Sequence, residues 1–443
     1  MKINKLVISV FVIFALINFS GLTTKLFAQK SRSEKENQKS QLANCIPNLR
    51  VNDIFKDVVK NDQPPKVLDT LETTILDDDI EVSKIHFESK VDKERVNKLY
   101  AIFIHKKGES NLPAILILHG GTQTADEYYK LGVLYAKQGY AVLIPDLPGI
   151  TSPEWANRKG KGSTGGFARF PYGEKHFETK PDITQSVIYE GVVAAIQAFY
   201  LLKNHSVVNP NLIGVRGLSW GGYATTITTA LLGKQVKAGF AVFGSGFYDL
   251  PSYFKSILDK METSSRDSWL SALDAGRYAD RIKAPFYFMA ASNDTYFYPP
   301  AVMATYDRIK GDKNVLFAPN NDHDLTNVAD PQATEFTFFN HYLHNKELFI
   351  PLVVVKSNKL QLDSSSVVEF KVNHSRTINN ATVWYTVTDS VWTKKKWLPI
   401  VATSTKNYHV YSAILPREVA TLKGHWYIIA TDNLKVSNGT KIH

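Results

Sequence analysis

The sequence predicts an α/β protein: a mainly parallel sheet with helices on both faces, followed by a small C-terminal antiparallel β-sandwich. Three observations carry this expectation. Between residues 98 and 344, short and fully apolar runs alternate with segments of helical period, the pattern of strands buried on both faces. After Pro351 the period shortens to inside–outside alternation, with no long helical stretch. The 443 residues are too many for one ordinary core and suit one large domain plus a smaller one.

In chain order, the first residues read as an address rather than as fold. Lys2 and Lys5 precede the apolar run LVISVFVIFALINF (6 to 19), which is too short to span a bilayer comfortably, and KLFAQK offers a cleavage point after Ala28. Leu26 is bulkier than the small residue such a site prefers, so an uncleaved N-terminal anchor is the rival reading. The organisation expected is a signal peptide at 1–28, a polar spacer at 29–45, the main domain at 46–350 and the sandwich at 351–443. The mature protein is then exported, periplasmic or secreted, with no stable membrane insertion. A single cysteine, Cys45, permits no intrachain disulfide.

The formal charge of +10 loses three units with Lys2, Lys5 and Lys25, and the remainder is thinly spread. Its densest cluster, NRKGKGSTGG (157 to 166), lacks the aromatic interleaving of a nucleic-acid surface and the Gly-Lys-Ser/Thr ending of a phosphate loop. Nucleic acid is therefore not an expected partner. Polyanions such as acidic polysaccharides suit an exported basic protein better.

Within the main domain, DIEVSKIHFES (79 to 89), KLYAIFIHK (98 to 106), AILILHGG (114 to 121) and YAVLIPDLPG (140 to 149) read as strands. TADEYYKLGVLYAKQG (124 to 139) has helical period and a glycine stop. A glycine- and ring-rich insertion covers about 150–180, and a long helix begins after Pro181 and Asp182. Strand NLIGVR (211 to 216), helix YATTITTALLG (223 to 233), strand AGFAVFGSG (238 to 246) and a lid-like segment at about 247–275 follow. Strands APFYFMAASND (284 to 294) and NVLFAPNN (314 to 321) and an amphipathic helix from Gln332 to His344 close the domain. The sandwich strands are VVEFKVNH (367 to 374), ATVWYTVTD (381 to 389), YHVYSAILP (408 to 416) and HWYIIATDN (425 to 433).

Candidate chemistry falls where loops leave strand ends, the usual place for sites in such sheets. In GLSWGGY (217 to 223), Ser219 sits in a tight turn between a strand and a helix. A serine hydroxyl needs a base to become a nucleophile. Gly217 and Gly221 leave room for strand and helix to close on the turn, and the Trp220 amide at the helix start faces a developing oxyanion. The 284 to 294 strand ends at Asp294 in ASNDTYFYPP, and the strand after it is followed by His323 in APNNDHDL, giving gaps of 75 residues from Ser219 to Asp294 and 29 from Asp294 to His323. Ser, acid, His is the order this architecture requires, with Asp294 holding His323 and His323 deprotonating Ser219.

Each residue also has a plainer reading. Asp294 could cap the helix near Pro299, and Asp322 or Asp324 could orient His323 instead. His341 and His344 read as packing residues, and His119 in LHGG as structural, with Gly121 supplying a second oxyanion amide. Metal ligands do not cluster, no dinucleotide fingerprint is present, and the triad needs no cofactor.

With HGG, GLSWGG, SND and DHD taken together, residues 95 to 345 resemble the α/β-hydrolase superfamily. Within it the chain is similar to acetyl xylan esterases, dienelactone hydrolases and prolyl-oligopeptidase-like enzymes. The resemblance implies a serine hydrolase with Ser219, Asp294 and His323 as triad and Gly121 and Trp220 as oxyanion hole. The chain departs from two of these groups: the residues before the hydrolase region cannot build a propeller, and the nucleophile is serine rather than cysteine. The expectation is therefore carboxylester hydrolysis, with acetyl or similar acyl groups on a polysaccharide or oligosaccharide as substrate. A peptidase, a carbohydrate-binding protein that has lost activity, and a cofactor-free haloperoxidase or lyase are the alternatives. Substrate contacts are expected from Tyr223, Tyr296 and Tyr298. An aromatic platform of Trp155, Phe167, Phe170, Tyr172, Tyr253, Phe254 and Trp269 would add to them. In the sandwich, Trp384, Trp392 and Trp397 either bind carbohydrate or cap the hydrolase domain.

Overall fold

The computed structural model describes residues 49–151, 158–165, 173, 175–346, 350–387, 391–407 and 409–443. The expected signal peptide, spacer and Cys45 lie outside them, as do Trp155, Phe167, Phe170 and Tyr172. Among the described residues no helix is long and apolar enough to cross a membrane.

Nine strands form the main sheet: β1 Val67–Ile75, β2 Ile80–Lys90, β3 Val96–Lys106, β4 Leu112–Leu118, β5 Ala141–Pro145, β6 Val208–Leu218, β7 Ala238–Val242, β8 Phe286–Ala291 and β9 Lys313–Ala318. Their spatial order is β1-β2-β3-β5-β4-β6-β7-β8-β9. The first three strands join antiparallel, and from β5 to β9 every pairing is parallel. The apolar runs are the reason: β4, β5, β7 and β8 are buried along their whole length, which only helices on both faces can achieve.

The Trp220–Leu232 helix is almost wholly buried despite its threonines. Thr225 and Thr226 satisfy their hydroxyls on the carbonyls of Gly221 and Gly222, one turn back (both 2.9 Å). On the other face the Pro331–His344 helix starts at Asp330, whose side chain accepts from the Ala333 amide. Its buried Glu335 takes Arg216 of β6 bidentately (2.9 and 2.8 Å) and the Tyr135 hydroxyl (2.5 Å), which fixes that helix against β6.

The C-terminal part is two antiparallel four-stranded sheets. One holds β10 Leu352–Leu360, β11 Ser366–Asn373, β15 Val410–Leu415 and β14 Thr403–Ser404; the other holds β13 Leu398–Val401, β12 Ile378–Thr386, β16 His425–Asp432 and β17 Ser437–Gly439. Val368, Phe370, Val372, Val383, Leu415 and Ile428 fill the space between them. A second set of rings faces the main domain: Trp397 is 1% exposed and meets Tyr427 edge-on at 4.8 Å, and Tyr427 meets Phe317 of β9 at 6.0 Å. The sandwich thus covers the β9 edge of the main sheet, where Tyr287 donates to the Ser437 carbonyl and Asn438 to Asn314 (both 2.9 Å).

Candidate active site

Ser219 lies between β6 and the Trp220–Leu232 helix with φ 58° and ψ −119°, a conformation an L-residue adopts only when its surroundings force it. The forcing contacts are close backbone approaches. A Cβ at Gly217 would stand 2.2 Å from the Gly221 carbonyl oxygen, and one at Gly221 would stand 2.1 Å from that of Leu118. The Ser219 amide donates to the Val242 carbonyl of β7 (2.8 Å), which pins the turn to the neighbouring strand.

His323 follows β9 and Asp294 follows β8. The His323 Nε2 lies 3.0 Å from Ser219 Oγ, and its Nδ1 lies 2.9 Å from Asp294 Oδ2. The other Asp294 oxygen accepts the amides of Tyr296 (2.7 Å) and Phe297 (2.9 Å). Asp294 is fully buried, and burial pushes its carboxyl above the ordinary value; the His323 bond and the two amides pull it back. Phe243 lies over His323 at 4.4 Å and Phe297 stacks at 6.0 Å, so the imidazole is held between rings. Asp322 is spent on the Thr295 amide (2.7 Å) and Asp324 on Asn321 and Thr326, so neither orients the histidine.

The loop after β4 carries Gly121. Its neighbours' amides are all engaged: Gly120 donates to Gln123, Thr122 to Ile150 and Gln123 to Gly120. Among the described residues the Gly121 amide has no acceptor. His119, beside it, donates from Nδ1 to the Gly120 carbonyl and accepts the Leu147 amide at Nε2. Burial pushes its pKa down, so it holds the loop as a neutral ring, the structural role expected of it. His344 packs edge-on against Tyr140, and His341 meets the Lys346 carbonyl.

A cleft of about 460 Å³ opens beside Trp220, lined among others by Lys175, Phe177, Glu178, Tyr253, Phe254 and Ile257. Neither Ser219 nor His323 lines it, whereas Trp220, next in sequence to Ser219, does. Tyr253 and Tyr296 stand exposed and pair at 5.5 Å, with Tyr296 5.1 Å from His323. Tyr298 is half-buried. Two expected substrate contacts are corrected. Tyr223 is buried, and its hydroxyl donates to the Leu273 carbonyl (2.5 Å). Trp269 is fully buried, and its indole donates to the His176 carbonyl (2.9 Å). Both rings pack at the base of the cover segment, residues 247–275, where helical position gave them an inward face.

Sequence reasoning passed over Asn293 and Asn320. Asn293 Nδ2 donates to the Trp392 and Lys395 carbonyls (3.1 and 2.6 Å), and Asn320 exchanges two hydrogen bonds with the Trp397 backbone (2.9 and 2.8 Å). The signal was present as asparagines at two strand ends, SND and PNND, but a turn explains them equally well. Among the described residues no group of histidine, cysteine and carboxylate could hold a metal.

A parallel sheet of this order, with a strained serine after β6, an acid after β8 and a histidine after β9, defines the α/β-hydrolase fold. Two solved structures agree with it. Acetyl xylan esterase 1 from Thermoanaerobacterium sp. JW/SL YS485 superposes with a TM-score of 0.52 at 18% identity, covering 64% of this chain and 93% of that one. The acetyl xylan esterase from Paenibacillus sp. R4 gives 0.53 at 18% identity, covering 69% and 99%. In sequence, the family described as PhoPQ-activated pathogenicity-related protein matches residues 226–392, a span that takes in Asp294 and His323. Acetyl esterase Axe7A from Xylanibacter ruminicola is 24% identical over 252 residues, which are 54% of this chain and 56% of that protein. Dipeptidyl aminopeptidase BIII from Pseudoxanthomonas mexicana is 24% identical over 204 residues, 42% of this chain and 26% of that protein. The chain therefore spans about half of the first curated relative and a quarter of the second.

Proposed function

We propose that this protein is a serine carboxylester hydrolase that removes acetyl or similar small acyl groups from a polysaccharide or oligosaccharide. The observation that carries the reading is the continuous hydrogen-bonded line from Ser219 Oγ through His323 to Asp294. His323 takes the Ser219 proton as Oγ attacks the ester carbonyl, and Asp294 stabilises the imidazolium that results. The amides of Gly121 and Trp220 receive the oxyanion. His323 then protonates the leaving alcohol, and water, deprotonated by the same ring, releases the acid from Ser219. Ester specificity draws support from the acetyl esterase and acetyl xylan esterase relatives, and the exposed Tyr253–Tyr296 pair offers ring faces to a sugar.

The test is fluorophosphonate labelling of purified protein beside Ser219→Ala, followed by acetate release from acetylated polysaccharides and an aryl acetate. Labelling and turnover should both vanish in the variant while the fold persists; retained turnover would remove Ser219 from the chemistry. The match to a dipeptidyl aminopeptidase favours one second reading, a serine peptidase, and release of a dipeptide from a peptide amide without acetate release would establish it. Export rests on Lys2, Lys5 and the apolar run at 6–19, and N-terminal sequencing of secreted protein, starting at Gln29, tests it.

A further inference from the structure

The loops that carry Asp294 and His323 are laced to each other. Past the ends of β8 and β9, Ser292 donates from its amide to the Ala318 carbonyl (2.9 Å) and Asn293 to that of Asn321 (3.0 Å). The Asn320 amide donates to Ser292 Oγ (2.9 Å), which donates in turn to Asn293 Oδ1 (2.6 Å). A shift in either loop would therefore move both members of the relay.

What holds this laced pair from outside is the sandwich. The segment 392–397, between β12 and β13, presents the carbonyls of Trp392 and Lys395 to Asn293 and both backbone groups of Trp397 to Asn320. Asn293 adjoins Asp294 and is only 8% exposed, so its two bonds are shielded from water. Trp397 is anchored by its buried ring, which fixes where its backbone groups point. Asn320 sits at φ 55°, a backbone position asparagine tolerates, with its side chain turned toward the sandwich.

We propose that the sandwich is a working part of the active site: its 392–397 segment, through the positioning residues Asn293 and Asn320, sets the register of Asp294 and His323 against Ser219. The inference rests on the serine-hydrolase reading for its effect on rate, and on geometry alone for its effect on the histidine. The test uses full-length protein with Asn293→Ala, Asn320→Gly, which keeps the left-handed backbone, and Asn320→Asp, which keeps the acceptor for the Trp397 amide. Two quantities are read: kcat and KM on an aryl acetate, and the low-field proton resonance of the His323 Nδ1–H, assigned by its loss in Asp294→Asn.

Asn293→Ala and Asn320→Gly should lower kcat about 10- to 100-fold with KM within about twofold, the scale of an ångström's misplacement. Both should shift or broaden the His323 resonance, and Asn320→Asp should recover part of each change. In an Asp294→Asn background the same replacements should cost almost nothing more, because the contact they act through is already gone. Unchanged kcat and resonance, or a full additive loss in that background, overturns the proposal; so does a lower Tm with neither quantity moved. If the wild type gives the resonance but no turnover, the hydrolase reading falls, while the resonance in the variants still decides the positioning role.

Discussion

Two regions of this protein are each organised around a fully buried aspartate, and only one of these carboxylates bonds to a histidine. In the loop after β8, Asp294 gives one oxygen to the amides of Tyr296 and Phe297 and the other to His323. In the cover segment, Asp274 gives one oxygen to the amides of Phe247 and Gly276 and the other to that of Tyr248. Burial pushes both carboxyls above their ordinary value, and amide donors oppose it in both. Perturbation of this kind therefore does not mark a catalytic residue. What separates the two is the partner on the remaining oxygen: an imidazole that reaches the Ser219 hydroxyl in one case, a backbone amide in the other.

The largest effect should come from Asp294→Asn, which keeps the two amide contacts and breaks the orientation of His323. We expect kcat to fall by about ten-thousandfold, the scale known when a triad carboxylate is neutralised, without loss of fold. Asp322→Asn is the control, since it keeps an acceptor for Thr295, and kcat should stay within a few-fold; a comparable collapse there would overturn the choice of acid. Stability gives an independent readout with a defined sign. A raised native pKa means that the folded state keeps the Asp294 proton to higher pH than the unfolded chain does. Ionising it thus costs native stability as pH climbs above the ordinary carboxylate value of 3.8, and asparagine escapes that cost. The Tm of the variant relative to wild type should rise between that pH and neutrality, and a difference flat across pH would argue that Asp294 is not desolvated.

Asp274→Asn should invert this pattern. The amide group can still accept on one side, but its NH2 then faces a backbone N–H, leaving one buried donor unpaired at a cost of about 1 to 3 kcal/mol. Denaturant unfolding should show that loss, while kcat per folded molecule stays within a few-fold. A large fall in kcat would mean that the cover turn shapes the site directly and that the two aspartates differ less than their contacts indicate.

The same contrast explains what was legible in the sequence. That Ser219, Asp294 and His323 meet was legible because each sits on a short loop behind an apolar strand, and chain order plus strand-end placement brings them together. Their plainer rivals turn out to serve backbone amides: Asp322 that of Thr295 on the loop after β8, and Asp324 that of Thr326 on its own loop. The cover segment was harder. Tyr223 and Trp269 are aromatic residues near the site, but periodicity does not say whether a helix in a two-sided protein presents a ring to solvent or to a neighbouring element. Asn293 and Asn320 were beyond reach for another reason. Their partners are main-chain carbonyls and an amide some 77 to 102 residues further on, and backbone groups leave no residue-type signature. That the sandwich would grip these loops could not follow from its alternation alone.

The smallest effect expected separates a binding ring from a supporting one. Tyr296 is 43% exposed and lies 5.1 Å from His323, close enough for either role. Phe243 and Phe297 already hold the imidazole, at 4.4 and 6.0 Å, so the histidine does not depend on Tyr296 for its orientation. Its exposed part, beside the exposed Tyr253, is then available to the alcohol portion of a substrate. Tyr296→Ala should therefore lower kcat/KM on an acetylated oligosaccharide about fivefold, the equivalent of about 1 kcal/mol of ring contact, and leave a small alkyl acetate nearly unchanged. An equal fall on both substrates would instead make the ring a third support for His323, placing it with the relay rather than with the cleft.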